Sequence, residues 1–264
     1  MSLPVLLGHQ WRRHRIAVLP MAAGAGLFQF LLTRMAPVDG GDSWISRAFE
    51  AVPPQLLALA GGDIRAQLTA GGFLAVGYGH PFFLLLLGAW VVRVSCGALA
   101  GEVGQGTMEL LASRPMARWK FVVAGWLACL AGLTVILLAA WAATALGSSL
   151  RQLGVGRDFG QVAAGVGCLF AAWSAIGLLV GATRRDGGSA IGWTAGIIAV
   201  SFVLDYLARM WAPIHGLQPL SLFRYYQPQT IVAAGLNAGN LLVLGGVTIS
   251  SVIAAIIVFR GRDL

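Results

Sequence analysis

The chain has 264 residues, of which 58% are hydrophobic and 11% charged, with 36 glycines and a formal net charge of +8. Soluble domains carry about 45–50% apolar and about 25% charged residues. A fold of this length has no interior large enough to hide the excess, so the composition excludes a soluble globular protein and predicts an all-α integral membrane protein.

Six apolar stretches are long enough to cross a bilayer as helices, at about 16–33, 73–101, 121–147, 159–181, 189–210 and 241–259. Residues 1–264 therefore read as a single six-helix domain. None of the stretches alternates in the manner of a membrane β-strand. The first follows "HQWRRHR" and lacks a small-residue cleavage site, which predicts a retained helix rather than a signal peptide.

The next segment, 34–72, is too long for a turn. Ile45, Ala48, Phe49 and Val52 make an amphipathic stripe, Pro53-Pro54 follows, and a second Gly-Gly-Asp step precedes "IRAQLTA". This pattern predicts two short helices lying in the outer interface. Arg93 falls inside the second span, nine residues before Glu102 and so about 14 Å deep along a helix. It either snorkels to the interface or lines a translocation path.

Further along, Gly177-Leu-Leu-Val-Gly181 and Gly192-Trp-Thr-Ala-Gly196 are small-xxx-small steps joined by "ATRRDGG", which predicts close packing of spans four and five. Asp205 and Arg209 have the spacing of an i,i+4 ion pair. "GLQPLSLFRYYQPQT" supplies Phe223, Tyr225 and Tyr226, either as an interfacial aromatic belt or as an outer lid.

Orientation follows from the basic residues. Arg12, Arg13, Arg15, Arg114, Arg118, Lys120, Arg184, Arg185, Arg260 and Arg262 crowd four short segments. Arg34, Arg47, Arg65, Arg151, Arg157 and Arg224 are scattered over three much longer ones. The expectation is a cytoplasmic N-terminus and a cytoplasmic C-terminus.

Motifs of catalysis are missing from the sequence. Lys120 lies between Trp119 and Phe121, outside any Walker loop. No H-E-x-x-H occurs, and "GGSAIG" fails the G-x-S-x-G spacing. Cys96, Cys129 and Cys168 sit in apolar runs without C-x-x-C spacing, which argues against disulfides and zinc. The chain is thus expected to be no enzyme and to hold no catalytic residue, cofactor or metal.

One polar block interrupts the spans, "GEVGQGTMELLASRPMARWK". Thr107 can cap a helix with Glu109 in its first turn, and Pro115 stops it by about Ser113. Roughly two turns, about 10 Å, then carry Met108, Leu111 and Ala112 on one face. Arg118, Trp119 and Lys120 anchor the start of span three. A short helix showing an apolar face to water needs a partner to dock on it.

The run Glu102-x-x-x-Gly106-Thr107-x-Glu109-Leu110-Leu111-x-x-x-Pro115-x-x-Arg118 resembles the signature loop of ABC-2-type transporter permeases. The similarity extends over the whole chain, from the basic N-terminal stretch to the short tail "FRGRDL". One departure is Val103-Gly104-Gln105, where members often carry more charge.

The resemblance implies a coupling helix between spans two and three. It also implies a plasma-membrane exporter built from two six-helix permease chains, as a homodimer or related heterodimer. Two separate ABC ATPase subunits would bind ATP and magnesium. Glu102, Gly106, Thr107, Met108, Glu109, Leu111, Ala112, Pro115 and Arg118 would form the coupling surface. Membrane lipid and a substrate of undefined class are the other expected partners, with no nucleic acid. A stand-alone secondary transporter would instead carry paired buried carboxylates or inverted repeats, and the sequence displays neither. A membrane scaffold would transport nothing with any ATPase.

Overall fold

The computed structural model describes residues 3–37, 69–104, 106, 117–155 and 159–261, and among them every regular element is helical. The expected outer helices, around 45–52 and over residues up to 68, and the two-turn helix over 107–113 lie outside the described residues. With no water in the hydrocarbon core, a spanning segment must satisfy its backbone internally, and helices do so within one segment.

Six spans result. They are α1 (Leu3–Met35), α2 (Ala70–Gly79) continued by α3 (Pro81–Cys96), α4 (Trp119–Leu150), α5 (Phe159–Thr183), α6 (Gly187–Met210), and the last one, which follows the short α7 (Pro228–Ala234), α8 (Ala238–Arg260). The last two residues of the second span's α3 lead into a π-helical segment, Gly97–Gly101, and a final turn, Glu102–Gly104.

The helix that contains the first expected span begins at Leu3, ahead of the basic stretch. Its buried stripe runs Leu6, Gln10, His14, Val18, Ala22, Ala25, Gln29, Thr33 and so passes straight through the basic stretch. The arginines lie off that stripe, and nothing in the sequence stops the helix where the charges begin. At 33 residues α1 is about 50 Å long, well beyond a ~30 Å hydrocarbon core.

The second span breaks at His80. A residue before proline is pushed out of the helical region, and His80 sits at φ −65°, ψ 135°. Its Nδ1 accepts from the Phe82 amide at 3.2 Å, so the break is capped.

Span four, α5, is the central post. It packs against α3, α4, α6 and α8, while α1 lies mainly along α4. Trp90, Trp173, Tyr78, Phe83, Phe159 and Phe170 fill the space between these helices. The Trp90 indole donates to the Cys129 carbonyl at 3.0 Å and lies over Gly132, where a Cβ would overlap the ring. At one end of the bundle, the Arg151 guanidinium lies 2.8–2.9 Å from the carbonyls of Thr33, Arg34 and Ala36 and closes the end of α1.

The aromatic segment after α6 is not a simple interfacial belt. Two 3-10 turns, Ala212–Leu220 and Leu222–Tyr225, fold it back into the bundle. Ser221 Oγ donates to the Ser201 carbonyl at 2.7 Å. Phe223 packs on Trp173 and Phe202 at ring separations of 5.9 and 5.3 Å, and the Tyr226 hydroxyl donates to the Tyr78 carbonyl at 3.3 Å. Phe223 and Tyr226 are buried, whereas Tyr225 is half-buried.

Overpacking a tight core contact costs about 1–3 kcal/mol. Gly132→Ala should therefore lower the melting temperature of the detergent-solubilised chain. Gly192→Ala, whose Cβ would meet nothing within 4 Å, should leave it unchanged. Tryptophan fluorescence melts read both, and identical curves would show that Trp90 does not seat on Gly132.

Candidate functional site

Two features stand out: a junction at one end of the bundle and a groove between α3 and α6. The junction starts at Glu102, which is only 3% exposed and forms an ion pair with Arg13 of α1. Next to it, Gly104 faces the turn between α5 and α6. A Cβ there would lie 3.3 Å from the Arg185 carbonyl, and one on Gly187 would lie 3.3 Å from the Gly101 Cα. These backbones touch because no side chain intervenes.

In the same turn, Asp186 caps α6 by accepting from the Ser189 amide at 2.6 Å. Gly106 takes φ +68°, a conformation that suits glycine, and its amide donates to the Val103 carbonyl at 3.0 Å, ending the helix behind it. Beyond the block, Arg118 donates to the Arg260 carbonyl at the end of α8 at 3.2 Å.

Of the expected coupling residues, Glu102, Gly106 and Arg118 are thus placed by these contacts. Thr107, Met108, Glu109, Leu111, Ala112 and Pro115 lie outside the described residues. The polar block is tied near its start to α1 and to the α5–α6 turn, and near its end to α8.

The groove exists because α6 buries only a narrow stripe: Ala190, Thr194, Ser201, Asp205 and Ala208. The helix makes polar contacts on either side of its middle. Thr194 Oγ1 lies 3.2 Å from Cys96 Sγ on one side. Ser201 meets Ser221, and the Gln218 amide donates to Asp205 Oδ1 at 3.3 Å, on the other. Asp205 also pairs with Arg209 at 2.6 Å, as its spacing predicted.

Between these attachments lies a cavity of 510 Å³, walled by Leu84, Leu85, Val92, Ile198 and Phe202 with Arg93 among them. Pro81, Leu84, Phe202 and Phe223 are shared with a second cavity of 370 Å³ that reaches His80, Asp205, Arg209 and Tyr226. Burial pushes the Tyr226 phenol well above its ordinary pKa, so it remains a hydrogen-bond donor.

The glycine pairs are split. Gly177 lies between Ser95 of the second span and Thr194 of α6, and Gly181 lies against the Cys96 backbone of the second span. Gly192 and Gly196 meet nothing within 4 Å and face outward beside Trp193, Ile197 and Val200. Spans four and five meet through Gly177 and Thr194, not through Gly192 and Gly196. The registers of the two pairs place them on different faces, because α6 turns the stripe of Ala190 and Thr194 toward α3.

Arg13, His80 and Phe202 were not singled out from the sequence as site residues. Arg13 carried only the general signal of a basic flank, and His80 the proline after it.

A family model described as "ABC-2 family transporter protein" matches residues 21–264 of this sequence. Among curated proteins no match was found.

Removing one partner of a buried ion pair costs more than replacing both. Arg13→Ala should lower stability by about 1–3 kcal/mol. The double variant Arg13→Ala, Glu102→Leu should recover part of that loss. Melting curves of both variants in the same detergent decide it. A double variant less stable than the single would mean that the Glu102 carboxylate is held by other groups.

Proposed function

The chain belongs to the ABC-2 family of transporter proteins, and on that premise we propose that it is the permease subunit of an exporter in the plasma membrane. It is a multi-pass membrane protein, and its family works with an ABC ATPase. In this reading two permease chains enclose the path and two copies of the ATPase bind beneath them, holding ATP and magnesium. Both termini and the Glu102–Arg118 block face the cytoplasm. This chain itself carries no catalytic or cofactor role.

The observation that supports this reading most is the attachment of the polar block at both ends. A segment that takes a push from the ATPase must pass it to the bundle, and a loosely hung loop would absorb it instead. Glu102 is bound to α1, Gly104 abuts the α5–α6 turn, and Arg118 reaches the end of α8. Displacement of the block would move these elements together. Because α6 meets α3 through a narrow contact around Ala190 and Thr194, and its Ser201 is held by the chain that follows it rather than by α3, it is the element best able to change its spacing from α3 and open the groove. Nucleotide-driven closure of the ATPases would bias the pair from an inward-open to an outward-open arrangement.

The docking face comprises Met108, Leu111 and Ala112, with Thr107 and Glu109 opening the helix and Pro115 ending it. Burying these apolar groups contributes about 2–4 kcal/mol before ordering costs. Leu111→Asp places an unpaired carboxylate in the contact, which is worse than losing the leucine. The variant should insert normally, no longer co-purify with its ATPase and no longer transport. Glu109→Ala should do less, since a charge at the rim stays solvated. Undiminished co-purification of Leu111→Asp would show that this face does not dock.

A further inference from the structure

From the groove between α3 and α6 we infer that the substrate class is a single-chain amphipathic anion drawn from the bilayer, its acid group on Arg93 and its apolar body along Leu84, Leu85, Ile198 and Phe202. This rests on the permease reading above and names what the path carries.

Arg93 is exposed within the fold and lines the 510 Å³ cavity. A charged side chain near the centre of a spanning helix costs roughly 2.5–3.5 kcal/mol on insertion scales, and such residues pair or mark a substrate path. The three described carboxylates are engaged elsewhere. Glu102 pairs with Arg13, Asp205 with Arg209, and Asp186 caps α6. Among the described residues no acid pairs with Arg93.

Among the described residues the groove therefore presents one cation with no acid on it against apolar walls, the complement of a molecule with one acidic group and one apolar chain. The cavity lies within the range of about 300–1,000 Å³ typical of sites for drug-sized ligands. Orientation follows as well. Arg93 lies about 14 Å from Glu102 along the helix. The vestibule at the other end offers Asp205 and Arg209 already paired and so no net charge. The acid group sits toward the Arg13–Glu102 junction and the chain points toward His80.

The test uses the full chain in phosphatidylcholine nanodiscs without ATPase. The probe is palmitate carrying a diazirine on its chain, compared with the same chain ending in an alcohol or a trimethylammonium group. Palmitate should label α3 and α6 peptides, and the other two should label them about tenfold less, the factor expected from one charge-assisted contact. Arg93→Gln should raise the half-saturating palmitate concentration about tenfold, Arg93→Lys should stay within about twofold, and Ala199→Trp, which fills the groove, should abolish labelling.

Equal labelling by acid and alcohol, or an Arg93→Gln variant that binds like the parent, would overturn the assignment. Should Arg93→Gln fail to fold, the comparison of head groups on the parent chain still decides. Because no ATPase is present, a negative result here leaves the permease reading standing. Failure of the Leu111→Asp test would leave palmitate binding intact.

Discussion

A carboxylate buried at the end of an apolar helix needs a cation, and Glu102 finds it on Arg13, in the basic stretch ahead of the first span. This ion pair makes α1 more than a membrane anchor. It joins the start of the chain to the end of the second span just where the polar block begins. Gly101 and Gly104 sit beside the pair and admit the α5–α6 turn at backbone distance. With Arg118 reaching the end of α8 on the other side, four of the six spans meet around a single segment. Moving that segment without moving the bundle would break a buried charge pair and separate packed backbones.

The rest of the fold divides into a rigid part and a loosely attached part. Around α5 the interior is filled with large aromatic side chains in close contact, and such packing resists deformation. By contrast, α6 touches its neighbours along one thin stripe and through a few polar contacts at Thr194, Ser201 and Asp205. The cavity beside it follows from that asymmetry. A helix with so little buried surface resists a shift weakly, and the groove it borders carries Arg93 among its apolar walls. The π-helical segment lies at the near end of the same helix pair, where such widened turns frequently accompany functional sites.

Much of this was legible in the sequence because lipid imposes a severe rule. A segment must be apolar for about 20 residues to cross, and six segments are. Their ends were less legible. The buried stripe of α1 continues through Gln10 and His14 beneath the arginines, and hydropathy does not register a helix that outruns the membrane. Phe223 and Tyr226 read as a belt from composition, but the Ser221–Ser201 contact folds them inward. That contact joins residues 20 positions apart and has no local signature. The glycine steps told that close approach occurs, without telling which neighbour approaches. Gly177 and Gly181 meet the second span, and Gly192 and Gly196 meet open space. Arg93 and Glu102 could be noticed as charges in apolar surroundings, whereas the pairing of Glu102 with Arg13 and the walls around Arg93 required three dimensions.

The central claim is that the junction of Arg13, Glu102 and the α5–α6 turn faces the cytoplasm, where an ATPase can act on it. In a chain with Cys96, Cys129 and Cys168 replaced by alanine, single cysteines at Thr183, beside the junction, and at Ser149, at the opposite end of the bundle, test this directly. A membrane-impermeant maleimide should label Ser149→Cys in intact cells and Thr183→Cys only after the cytoplasmic side is opened. Labelling of Thr183→Cys in intact cells, with Ser149→Cys protected, would place the junction on the outer side and contradict the account.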